Sequence, residues 1–117
     1  MILIVGDSPS TLNSDPQVAF IGAACEARLK SWIAYLGIDM YCLCNSTDYD
    51  FYDLLKLAKA ANDPIIALGN KASEAIHPAS HFKLPHPSGR NRQLNDKVFI
   101  AGKLLECRLY LMGFYEV

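Results

Sequence analysis

"MILIVGDSPS", residues 1–10, decides the fold. Ile2 to Val5 form a short, unbroken apolar run that stops at Gly6. Such a run carries no alternation, so it reads as a strand buried on both faces, the kind found inside parallel sheets. "GDSPS" and "TLNSDP" then form a polar loop dense in turn residues.

Two further apolar segments repeat the pattern. "IDMYCLC", residues 38–44, ends at Asn45, and "IIAL", residues 65–68, ends at Gly69. "HFKLP", residues 81–85, is a weaker fourth strand. Helical spacing fills the intervals. Ile21, Cys25, Leu29, Trp32 and Leu36 mark one face of a helix within Val18–Leu36, closed by Gly37. Phe51, Leu54, Leu55, Ala58 and Ala61 mark a second, preceded by the capping candidates of "NSTDYD". Asn70 is placed to cap a short third helix running to Ile76. Asn95 or Asp96 caps a last one, with Val98, Ala101, Leu105, Leu109 and Met112 as its apolar stripe and Gly113 as its end.

Strands alternating with amphipathic helices predict an α/β protein: a three-layer αβα sandwich around a mainly parallel four-stranded sheet. The length suits a single domain over residues 1–117. The composition is globular, 51% hydrophobic and 20% charged with a net charge of −1, so no overall field attracts nucleic acid or membrane. The N-terminus has neither a basic leader nor a run long enough for an anchor, and no other stretch spans a bilayer. A cytoplasmic protein, monomeric and without membrane contact, is expected. The four cysteines, Cys25, Cys42, Cys44 and Cys107, match no zinc spacing and read as buried free thiols. No metal is expected.

Ligands of such sheets bind beyond the carboxyl ends of the strands. Those ends carry "GDSPS", Asn45, "GNKAS" and, at residues 84–96, "LPHPSGRNRQLND". From Lys83 to Lys97, four basic side chains (Lys83, Arg90, Arg92 and Lys97) face Asp96 alone, a local charge of +3 with histidine neutral. That patch can be a phosphate grip or an ordinary solvated loop. Asp7 can orient a water or merely cap its turn. His86 is stiffened by Pro85 and Pro87 on either side. Asn45 can read the edge of an amide-like ring such as a pyrimidine, or it can make an Asx turn into "STD". Phe20 can be core or a platform for a base. No G-x-G-x-x-G, Walker or G-x-S-x-G motif is present.

"GDSPS" and "HPSGRN", in this β/α order, resemble the uracil-DNA glycosylase superfamily, whose members carry a Gly-x-x-Pro motif after the first strand and a His-Pro-Ser motif after the last. Phe20, fourteen residues after Gly6 and followed by Gly22, resembles the stacking phenylalanine of the iron–sulfur, thermophile-type members. "HPSGRNRQLN" is similar to the His-Pro-Ser-x-Arg-Asn loop of the single-strand-selective monofunctional class.

The resemblance implies a base-flipping, monofunctional uracil-DNA glycosylase of the base excision repair type, acting on DNA without a cofactor. Phe20 would stack on the flipped base, Asn45 would pair with it, and Ser8 would lie in the substrate pocket. His86 would stabilise the leaving uracil, opposite a catalytic Asp7. Ser88 would hold a phosphate, and Arg90, Asn91 and Arg92 would lie at the DNA. The chain departs from the family in two ways. Ser8 stands where the best-known members carry their carboxylate; Asp7 occupies the place of the iron–sulfur class's glutamate, and Asp15 is a second acid in the same loop. The cysteines do not follow the cluster spacing, so no iron–sulfur cluster is expected. Two further readings stay open: an inactive glycosylase-fold module that binds nucleic acid or protein, and a hydrolase of free nucleosides or nucleotides.

Overall fold

The computed structural model describes residues 1–6, 25–87 and 92–115, with the backbone alone at 25, 26 and 115. Its elements are β1 (Ile2–Gly6), α1 (Cys25–Leu36), β2 (Tyr41–Asn45), α2 (Phe51–Ala61), β3 (Ile65–Leu68), α3 (Asn70–Ile76), β4 (Phe82–Leu84) and α4 (Lys97–Tyr115), with a 3-10 turn at Arg92–Asn95 before α4. The four strands form one sheet in the order β2-β1-β3-β4. Every pairing is parallel. The α/β class and the parallel sheet expected from the sequence are therefore present.

The apolar run of β1 lies at the centre because both of its faces are covered. Leu3 pairs with Cys42 on one side and Ile65 on the other. Successive side chains point to opposite faces, and the core divides accordingly. Ile2, Ile4, Ile66, Leu68 and Leu84 pack with Leu29, Trp32, Ile33 and Leu36 of α1 and Cys107 and Leu111 of α4. Leu3, Val5, Cys44, Ile65 and Ala67 pack with Phe51, Leu55 and Ala58 of α2 and Ala72 and Ile76 of α3. Two helices on each face give the three layers.

The helix ends at the amino edge of the sheet follow local rules. Gly37 has φ +70, its N–H donates to Ala34 O at 3.2 Å, and the Ile38 N–H donates to Ile33 O at 3.2 Å. That is a Schellman motif, which needs the left-handed conformation that glycine adopts without strain. Asn62 (φ 55) repeats it after α2, with Asn62 and Asp63 donating to Lys59 O and Ala58 O. At the start of α4, Asp96 Oδ1 accepts the Phe99 N–H at 3.0 Å, so Asp96 rather than Asn95 is the cap. The loop before β4 is pinned by His81, whose Nδ1–H donates to Ala79 O at 2.7 Å, leaving Nε2 to accept the Ser73 hydroxyl at 2.7 Å.

Several local expectations need correction. β2 begins at Tyr41, not Ile38, and β4 covers only three residues. Asn70 does not cap α3: Gly69 holds that position without a side-chain cap bond, and Asn70 Oδ1 accepts from Lys83 Nζ at 2.9 Å. No side-chain cap bond precedes α2, and Ala61 on its predicted face is exposed. α4 continues through Gly113 to Tyr115. Its predicted stripe is on the wrong side: Val98, Leu105, Leu109 and Met112 are exposed, while Cys107 and Leu111 are buried with Ile100 and Leu104 packed beside them. Residues 18–24, where the first helix was expected to begin, lie outside the described residues.

Candidate functional site

The parallel sheet brings the carboxyl ends of all four strands to one rim. In this strand order β1 and β3 are central and β2 and β4 are the edges. The chain leaves β1 for β2 on one side and later enters β3 on the other. The switch point, where ligands of open α/β sheets bind, therefore falls between Gly6 and Leu68.

On one flank stands Asn45, the last residue of β2 and the register partner of Gly6. Its side chain is 1% exposed, yet neither Oδ1 nor Nδ2 has a hydrogen-bond partner among the described residues. The turn that follows does not use this amide. Asp48 makes the turn instead: its Oδ2 accepts the Asn45 N–H at 2.8 Å, and its N–H donates to Asn45 O at 3.0 Å. The Asx-turn reading of Asn45 is thus corrected. By strand alternation from Leu43, which packs against the α1/α4 core, the amide lies on the α1/α4 side of the sheet. Leaving a buried amide unbonded costs about 1–3 kcal/mol by mutational measures, and this one offers both a donor and an acceptor.

On the other flank, Leu84 leads into Pro85, His86 and Pro87. A Cβ added at Gly69 would lie 3.2 Å from His86 Cβ and 3.4 Å from its ring Cδ2, and Gly69 has φ +94. Glycine is required there twice, by the backbone conformation and by the close approach of the imidazole. His86 belongs to a cleft of about 380 Å³ whose polar lining includes Asn70, Lys83, Gln93 and Lys103. Pro87 is fully buried, and its carbonyl accepts from Arg28 Nη1 of α1 at 2.9 Å. That charge-assisted bond ties the His86 loop to α1 and restricts its position at the rim.

A larger cleft, about 560 Å³, opens at the opposite edge of the sheet between Met1, Leu36, Asp39, Met40, Arg108 and Met112. Size favours it, but topology and the unsatisfied amide favour the rim. We take the rim as the candidate site, because an orphaned polar group points to a ligand more directly than an apolar hollow does.

Of the residues singled out in the sequence, Asn45 ends edge strand β2, His86 follows edge strand β4 by two residues, and Arg92 opens the 3-10 turn with its side chain exposed. Asp7, Ser8, Asp15, Phe20, Ser88, Arg90 and Asn91 lie outside the described residues. Sequence reasoning missed Gly69 as the seat of His86 and Arg28 as the tie to Pro87. A glycine at a strand end signals a turn but not what packs on it, and an arginine between apolar helix positions looks solvated. It also missed that Lys83, counted toward the basic patch, is bonded to Asn70.

Of the described thiols, Cys44 and Cys107 are buried in the core and Cys42 packs partly buried against it. Burial pushes Cys44 and Cys107 up to about 12; Cys42 is raised too, by burial and then by Asp50. Among the described residues no group of three or more His, Cys, Asp or Glu side chains could hold a metal ion. Nor is any described helix long and apolar enough to cross a membrane. None of the comparisons with family models, curated proteins and solved structures gives a match.

Proposed function

We propose that this chain is a DNA glycosylase that hydrolyses the N-glycosidic bond of uracil or a related pyrimidine. The observation that carries the reading is the buried amide of Asn45 at the carboxyl end of β2, which has no hydrogen-bond partner among the described residues. Uracil presents a carbonyl acceptor beside an N–H donor, and an amide pairs with that edge by donating from Nδ2 and accepting at Oδ1. Such a base reaches a closed pocket only when flipped out of the stack.

The reaction needs opposite charges on two sides. As the bond between C1′ and the base nitrogen breaks, its electron pair goes to the base and positive charge grows on the sugar. Water adds at C1′ and its proton passes to a carboxylate. Asp7 follows Gly6, the register neighbour of Asn45, and serves as that carboxylate or as a countercharge to the sugar. His86, seated on Gly69, donates to the departing base, an oxyanion-hole role. Three strand spacings separate β2 from β4, roughly 14 Å, a span that one base with a side chain on either side fills. Ser8 and Phe20 complete the pocket, and Ser88, Arg90, Asn91 and Arg92 contact the DNA backbone and the vacated stack.

One departure favours a second reading, a glycosylase fold retained for nucleic-acid or protein recognition: Ser8 stands where the best-known members of the superfamily carry the carboxylate. Release of base from labelled oligonucleotides with one uracil, single-stranded or opposite guanine or adenine, separates the two. Catalysis predicts release that falls roughly 100-fold in His86→Ala and is lost in Asp7→Ala. Salt-sensitive binding without release in any substrate would support recognition instead and remove the enzyme reading.

A further inference from the structure

The cleft that holds His86 is charged as well as polar, and its fixed charge has one sign. It opens at the carboxyl end of β4, an edge strand of the sheet. Two lysines reach it from different layers. Lys83 alternates with Phe82 and Leu84, which pack toward α1 and α4, so its side chain leaves β4 on the α3 side. Asn70 Oδ1 holds its Nζ there at 2.9 Å. Lys103 comes from α4 on the opposite face, with Nζ 5.8 Å from the centroid of the Phe99 ring. Phe99 lines the same cleft, and the amides beside it, Asn70 and Gln93, are neutral. Among the described residues no carboxylate lines it.

The partners of these two cations leave their charge in place. An amide oxygen positions Lys83 but carries no charge to cancel it. Lys103 has an acid, Glu106, at 3.2 Å, but the two stand three positions apart on α4 with side chains 38% and 58% exposed. Water screens such a surface pair, and it contributes little. Two ammonium groups that face one hollow repel each other, and an anion between them attracts both. At about 380 Å³ the cleft has the size of a small-ligand pocket.

We infer that this cleft holds a backbone phosphate of the strand whose base His86 meets, with Lys83 and Lys103 as its countercharges. That the strand is DNA rests on the glycosylase reading above; the phosphate site rests on the two lysines and the cleft. Lys83 stands three residues before His86, so a phosphate gripped there fixes the strand beside the imidazole. Such a contact sets position without reading sequence. The net charge of the chain is −1, so the attraction is local to the cleft rather than a property of the whole surface.

Fluorescence anisotropy of a labelled single-stranded oligonucleotide without uracil, titrated over a salt series, tests this. It reads binding whether or not the chain releases a base. Lys83→Gln and Lys103→Gln should each flatten the slope of log affinity against log salt by about 0.7 and weaken binding roughly fivefold to tenfold at low salt. Lys59→Gln removes the same charge from the last turn of α2 and should leave both unchanged. Urea unfolding confirms that each variant is folded. Deoxyuridine 5′-monophosphate, added as competitor, should displace the labelled strand only at about 100-fold higher concentration than unlabelled oligonucleotide does. Displacement at equal concentration would assign the cleft to free nucleotides and overturn the strand. Slopes unchanged in both cleft variants, an equal loss in Lys59→Gln, or a wild type that does not bind the strand would each overturn the site. Lysine-dependent binding with no release of uracil from any substrate keeps the phosphate site and sinks the glycosylase reading. Release of uracil with unchanged slopes does the reverse.

Discussion

The two ends of the sheet obey different rules. At the amino edge, backbone ends are closed by local devices: Gly37 and Asn62 complete Schellman motifs. At the carboxyl rim, a buried amide has no partner among the described residues, and an imidazole packs on a glycine with positive φ. The amino edge also holds the larger cleft, yet among the described residues it contains no orphaned buried group. Natural sequences follow local rules except where function requires otherwise. The contrast therefore locates function by broken rules rather than by volume.

Substitutions at the two ends should break apart in kind. Asn45→Ala should lower uracil release by about 10²–10³-fold, as losing a transition-state donor does. Single-turnover assays read this, and an unchanged rate would take Asn45 out of the site. Gly69→Ala should lower release about tenfold by displacing His86, and should cost about 1–3 kcal/mol from the strained φ. Denaturant unfolding and the same assay measure both. Gly37→Ala sharpens the contrast: it should cost about 1 kcal/mol and leave release unchanged, since the amino edge serves only the fold. If Gly37→Ala lowered activity as much as Gly69→Ala, the division between the two ends would fail.

A smaller effect belongs to the core between them. The Cys44 and Cys107 thiols sit at about 12 in the folded chain against an ordinary 9.0. Above pH 9 the unfolded chain loses these protons while the folded chain keeps them. Their contribution to stability is whole below pH 9 and declines as pH rises toward 12. Unfolding free energies measured from pH 8 to pH 11 should fall, and Cys107→Ala should flatten part of that slope. Thiol-reactive probes should label Cys42 before Cys44 and Cys107.

Much of the frame was legible in the sequence because it depends on local pattern. Ile2–Val5 and Ile65–Leu68 are unbroken apolar runs, and only a doubly covered strand accommodates them. Gly37 was legible because end motifs have fixed residue preferences, whereas the choice between Asn95 and Asp96 as the cap of α4 was settled by the Asp96 bond to Phe99 N–H. α4 was not. Apolar residues ring that helix, so Val98–Met112 and Ile100–Leu111 offered two stripes, and only the docked sheet decides between them. Asn45 could be recognised as a residue at a strand end. Whether its amide was spent on a turn depended on Asp48, three residues on. The seating of His86 on Gly69 joins two loops far apart in sequence, and no spacing rule encodes it.

The most direct test of the rim is the unfolding free energy of Asn45→Leu, measured by urea titration beside the wild type. Leucine has nearly the shape of asparagine and no polar atoms. If the amide is held unbonded for a ligand, the apolar replacement should leave stability unchanged or raise it by about 1 kcal/mol. A loss of about 2 kcal/mol or more would mean that the amide is bonded within the folded chain, and Asn45 would then be part of the scaffold rather than of a binding site.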